Sequence, residues 1–113
     1  MPALTLPARE RSNRIRRRVR IVCPAYPALN IYSRPARVMT ALGPVCIATA
    51  IRAIPGWDAE VVDENNYRRG PCDCAGRPDH EALQYNCPAE IVGLYGGLTS
   101  TIPRLLELAK KYK

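Results

Sequence analysis

The chain has 113 residues, of which 47% are apolar and 24% charged, with a formal net charge of +7 at pH 7. That length suits one modest core rather than two, and the apolar content excludes a wholly disordered chain. No apolar run approaches the ~20 residues that span a bilayer, and Met1 to Arg20 has no apolar stretch of a secretory signal.

The charge is uneven. Seven arginines (Arg9, Arg11, Arg14, Arg16, Arg17, Arg18 and Arg20) and one acid, Glu10, fall within residues 9–20, which leaves ten bases and nine acids elsewhere. Residues 1–18 therefore read as a basic flexible arm, and 19–113 as a nearly neutral folded domain. Val19-Arg20-Ile21-Val22-Cys23 is the first strand, stopped by Pro24. Residues 24–43 form a long loop punctuated by Pro24, Pro27 and Pro35, and loops of that length are usually functional or disordered. Gly43-Pro44 opens a helix, with proline in the tolerant first turn. Val45, Ala48, Ile51 and Ile54 recur within it, and its apolar sides predict a well-buried helix that Pro55-Gly56 stops.

Ala59-Glu60-Val61-Val62-Asp63 is the second strand, and residues 65–88 are polar and irregular, with a helical turn around Asp79 to Tyr85. Ala89 to Tyr95 is the third strand. Gly96-Gly97 ends it, and Ser100 is the expected N-cap of a last helix. Ile102, Leu105, Leu106 and Ala109 give that helix its apolar stripe, and Lys110, Lys111 and Lys113 suit its carboxyl end. Strands alternating with helices predict a three-layer α/β, flavodoxin-like (Rossmann-like) parallel sheet in the order 2-1-3. Three strands make that sheet incomplete. Its third strand, at an edge yet nearly continuous in apolar residues, implies the front part of a larger domain or pairing with a second chain.

In such sheets ligands sit at the carboxyl ends of the strands, where strand order reverses. That edge gathers the loop after Cys23, the acid Asp63 and the turn from Gly96 to Thr101. Glycines admit a ligand to the backbone, hydroxyls supply compact hydrogen-bonding groups, and Asp63 at a strand end suits a ribose hydroxyl. The bland alternative is a tight turn followed by a helix cap. No Gly-x-Gly-x-x-Gly follows the first strand, which argues against a nicotinamide dehydrogenase. The absence of Asp and Glu from residues 19–57 argues against a phosphate-accepting receiver domain.

Four stretches in order carry a family resemblance. They are Val22-Cys23-Pro24-Ala25-Tyr26-Pro27, Ala41-Leu42-Gly43-Pro44 leading into Val45 to Ile51, Gly56-Trp57-Asp58-Ala59-Glu60-Val61-Val62-Asp63, and Pro88 to Thr101. Together the layout resembles the N-terminal cobalamin-binding domain of the cobalamin-dependent radical S-adenosylmethionine family, over roughly residues 19–113. The resemblance implies a cobalamin site at the strand carboxyl ends, serving a methyltransferase-like enzyme. The implied contacts are Pro24 and Tyr26 after the first strand, Leu42 and Gly43 before the first helix, and Gly96, Gly97, Thr99, Ser100 and Thr101 in the third-strand turn. No Asp-x-His-x-x-Gly follows the first strand, so no histidine ligand to cobalt is implied. No Cys-x-x-x-Cys-x-x-Cys exists among the five cysteines, so an iron–sulfur cluster and S-adenosylmethionine would belong to a downstream radical domain. The chain would not be catalytic alone; it would position a cofactor that carries the chemistry.

The five cysteines are odd in number and lack a secretory signal, so they argue for the reducing cytoplasm and against a disulfide framework. Cys72-x-Cys74 with His80 and Cys87 has the residue types of a zinc site but not its spacing. Free thiols and an exposed loop histidine are the expectation there, and no metal ligands are assigned. Cys23 and Cys46 are expected to pack as small apolar residues. The second functional reading is a small interaction module whose arginine arm binds nucleic acid. The arm lacks interleaved aromatics and any accompanying motif, and a solvated leader is favoured; an inactive fragment is the third reading. Neither a membrane nor a metal is called for as a partner.

Overall fold

The computed structural model describes residues 17–27, 30–39, 41–67, 70–74 and 76–113. The basic arm therefore lies outside the described residues up to residue 16; Arg17 and Arg18 stand in a strand. The chain runs through β1 (Arg17–Cys23), α1 (Ser33–Ala36), α2 (Leu42–Arg52), β2 (Trp57–Asp63), α3 (His80–Asn86), β3 (Ile91–Leu94), a 3-10 turn (Thr99–Thr101) and α4 (Ile102–Tyr112). The strands form one parallel sheet in the order β2-β1-β3. Arg17 to Cys23 pair in register with Trp57 to Asp63, and Val19 to Val22 with Ile91 to Leu94. The fold is the incomplete flavodoxin-like α/β arrangement that the alternation of elements predicts.

Side-chain alternation along β1 sorts the core into two layers. Val19 and Ile21 point to one face, where they pack with Ala59 and with Ala48 of α2. Val22 points to the other and packs with Val62 and Leu108, flanked by Leu83 of α3 and Tyr112 of α4. Helices thus cover both faces, and the central strand is buried on both, as parallel sheets require. The core is aliphatic, in keeping with a chain that has no Phe and only seven aromatic residues.

Several expectations need correction. The helix opened by Gly43-Pro44 is not buried all round. Pro44 and Ala48 are its buried residues, while Leu42 and Ile47 are exposed, and Ile54, expected within it, is exposed beyond its end at Arg52. The sheet supports α2 from one side only, so the far side of the helix meets solvent. Cys46, on that helix, is exposed rather than packed, whereas Cys23 is buried as expected. The long loop contains a short helix, α1. The third strand covers Ile91–Leu94, shorter than the expected Ala89 to Tyr95, and lies at the sheet edge with Ile91 half exposed.

The last helix is also turned relative to its expected stripe. Leu108 is wholly buried, whereas Leu106 and Ile102 are exposed. Ser100 does not cap α4. It sits within the 3-10 turn, Thr101 occupies the N-cap position, and the Ser100 hydroxyl accepts from Asn30 Nδ2 at 3.0 Å. By contrast α3 has a true side-chain cap: Asp79 Oδ1 accepts from the Ala82 N–H at 3.1 Å.

Candidate functional site

A cleft of about 200 Å³ opens at the carboxyl ends of β1 and β3. It stands between β1 and β3, where the strand order reverses because β2 and β3 flank β1 on opposite sides, the switch point at which such folds bind ligands. Cys23, Pro24 and Asp63 line it from the strand ends, Tyr95, Gly97 and Thr101 from the third-strand turn. Tyr26, Tyr32 and Met39 complete it from the long loop, with the Tyr26 and Tyr32 ring centroids 6.3 Å apart and tilted.

The polar floor is pre-set by Asn65. Its side-chain N–H groups donate to Pro24 O at 3.2 Å and to Asp63 Oδ1 at 3.1 Å, and its Oδ1 accepts from the Tyr26 N–H at 2.9 Å. Asp63 Oδ1 also accepts from the Asn65 N–H at 2.9 Å. Both bonds fall on Oδ1, so Oδ2 carries no hydrogen bond among the described residues and can accept from a ligand hydroxyl. Burial pushes the Asp63 carboxyl above its ordinary value; the two Asn65 bonds oppose this and Glu64 adds to it. The Cys23 thiol is pushed up to about 12, first by burial and then by Asp63 and Glu64, all of which disfavour the thiolate.

Of the residues expected at the site, Pro24, Tyr26, Gly97 and Thr101 line this cleft. Gly43 lies behind Tyr95, where a Cβ would be 3.6 Å from the tyrosine hydroxyl. A Cβ on Gly97 would come within 2.7 Å of the Tyr95 ring, so this glycine lets Tyr95 fold against the turn. Gly96 faces α4 instead: a Cβ there would meet Leu105 Cδ1 at 3.0 Å. Ser100 is occupied with Asn30, and Leu42 and Thr99 are exposed outside the lining. Tyr32, Met39 and Asn65 were missed. The apolar content of the proline-rich loop was a signal for the first two, but nothing in spacing alone says which loop residues fold over the strand ends.

A second cluster was not foreseen at all. Glu64, one residue past β2, is buried, with Oε1 and Oε2 2.9 and 2.7 Å from Arg104 Nε and Nη2. Its Oε1 also accepts from the Ala25 N–H at 3.0 Å, and its Oε2 lies 2.9 Å from His80 Nε2. His80 is buried rather than an exposed loop residue, and its Nδ1 is 2.6 Å from the Tyr112 hydroxyl. In the neutral ring, Nε2–H donates to the carboxylate and Nδ1 accepts from Tyr112. Burial alone would raise the Glu64 carboxyl. Arg104, His80 and the Ala25 N–H outweigh it and hold the group at about 2. The same pairing with Glu64 raises Arg104 above its ordinary value.

This cluster is a structural tie, not an acid–base pair for a substrate. Every Glu64 oxygen and both His80 nitrogens have partners inside the protein, and both side chains are sealed from solvent. It joins the end of β2 to α3 and α4. Among the described residues, no three His, Cys, Asp or Glu side chains converge to hold a metal ion. Cys72, Cys74 and Cys87 are exposed, while His80 is committed to Glu64 and Tyr112. No helix among the described residues is long and apolar enough to cross a membrane.

Comparison with known protein families finds no match, and neither does comparison with characterised proteins or with solved structures.

Proposed function

We propose that the chain is a cofactor-binding module that takes the nucleotide tail of cobalamin in the cleft at the strand carboxyl ends, as part of a methyltransferase-like radical S-adenosylmethionine system. The observation that carries this reading is the cleft itself. It stands at the β1/β3 switch point and its lining combines three aromatic residues, Tyr26, Tyr32 and Tyr95, with the strand-end carboxylate residue Asp63. Aromatic walls suit the planar base of the tail, and a strand-end carboxylate suits its ribose hydroxyls.

The residues fit the tail and not the whole cofactor. A cleft of about 200 Å³ is too small to enclose a corrin, which would lie across the rim. Tyr32 and Met39 are more than half exposed there, and Leu42 follows the lining residue Ala41. No histidine lines the cleft, so the protein would supply no imidazole to the cobalt. Cobalamin would bring the methyl-transfer or radical-relay chemistry; the chain's own residues bind the tail, orient it and exclude water from its base.

Equilibrium dialysis tests this. The chain is expected to retain one hydroxocobalamin per molecule and to retain cobinamide, which lacks the nucleotide tail, far more weakly. Equal retention of the two, or of neither, defeats the reading.

A further inference from the structure

A second cleft, of about 390 Å³, opens beside the first and shares Tyr26 and Asn65 with it. Its character is different. Arg37 of the loop after α1 and Arg77 of the 65–79 connection both line it, with Asn66 and Tyr67. Gly76, at φ 78°, turns the chain immediately before Arg77. Among the described residues the Arg77 guanidinium makes no hydrogen bond or ion pair, and the Asn66 side-chain amide is likewise unengaged. Among the described lining residues Glu64 alone is acidic, and its side chain is sealed from solvent with both oxygens taken by Arg104, His80 and the Ala25 N–H. An anion entering here meets the Arg77 guanidinium and the Asn66 amide as donors.

We propose that this polar cleft is the phosphate subsite of a two-part site whose apolar half takes the base and ribose of the same ligand. The proposal rests on the reading of the first cleft as a nucleotide-tail site and adds the group that anchors it. Guanidinium groups bind phosphate through charge-assisted, geometrically matched hydrogen bonds. Asn65 forms the wall between the halves. Because its side chain is held by Pro24, Asp63 and Tyr26, the two halves keep a fixed spacing.

The test is a titration of the isotopically labelled full chain at constant ionic strength, read by amide NMR shifts. The probes are inorganic phosphate and then AMP, which carries base, ribose and phosphate in one molecule. Phosphate is expected to shift Asn66, Gly76 and Arg77 saturably. AMP is expected to shift these and Tyr32, Met39 and Tyr95 as well, with affinity at least about tenfold higher because both halves are filled. Arg77→Gln should weaken both probes about tenfold, the usual scale of one charge-assisted bond. Arg52→Gln, on the exposed side of α2, should change neither. Equal affinity for phosphate and AMP overturns the two-part site, as does equal weakening by the two arginine substitutions. AMP filling both clefts of a chain that does not retain cobalamin would sustain this inference and sink only the assignment of the corrin.

Discussion

Arg104 and Glu64, separated by 40 residues, meet in two parallel hydrogen bonds of 2.9 and 2.7 Å with the carboxylate fully buried. One guanidinium edge thereby fastens the last helix to the end of the second strand. The same carboxylate takes the Ala25 N–H and His80, so four chain segments meet at one side chain. Such a group resists removal, because Arg104, His80 and the Ala25 N–H would each lose a partner at a buried position.

Glu64→Ala is therefore expected to destabilise the fold by roughly 3–5 kcal/mol, the range for breaking a buried ion pair on one side. The urea midpoint measures this. Glu64→Leu combined with Arg104→Met should cost less than Glu64→Ala, since no unpaired charge remains. A double variant as unstable as the single one would mean that His80, not Arg104, is the partner that matters.

Acid should act through the same residue. Its folded pKa of about 2 lies below the ordinary value of 4.5, so between those limits the unfolded chain binds more protons. The stabilisation is complete above about pH 4.5 and is lost as pH falls through the folded pKa. Its full extent is on the order of 3 kcal/mol. Urea midpoints taken from pH 7 to pH 2 should fall steeply in this window. The same series for Glu64→Gln should start lower and run flatter.

The turned last helix gives a contrast between neighbours. Leu108 is 0% exposed and Leu106 is 56% exposed. Leu108→Ala should cost about 2–5 kcal/mol as a core truncation, whereas Leu106→Ala should stay within about 0.5 kcal/mol. Thermal melts of the two variants decide it, and comparable losses would restore the stripe through Ile102, Leu105, Leu106 and Ala109.

Thiol counting separates the cysteines. Cys46, Cys72, Cys74 and Cys87 are exposed, while Cys23 is buried with its thiol near 12. A disulfide reagent at pH 8 should titrate four thiols quickly in the native chain and the fifth only in denaturant. Fast reaction of all five would show that the floor of the cleft is open.

Arg20 shows how far local reading reaches. By composition it belongs to the basic run, yet it is 0% exposed in the central strand. There it donates to Glu60 at 2.6 Å and to Gln84 at 2.8 Å, and it satisfies the Leu83 and Cys87 carbonyls at the end of α3. His80, expected in an exposed loop, is buried for the same kind of reason, and so is Glu64, of which local reading says nothing. Each lies in or beside a polar, irregular stretch. Each is buried because its partners, Tyr112 and Arg104, arrive from a helix far along the chain.

Period, punctuation and apolar runs were enough to determine the strands, their alternation with helices and the parallel 2-1-3 sheet. These depend on backbone geometry and on which residues nearby in sequence must be buried, and that information is local. Only the tertiary structure decided which face of α4 turns inward, which polar side chains leave water, and which loop residues fold over the strand ends. Those outcomes depend on pairings between distant segments, and a buried charge is tolerated only where such a partner arrives.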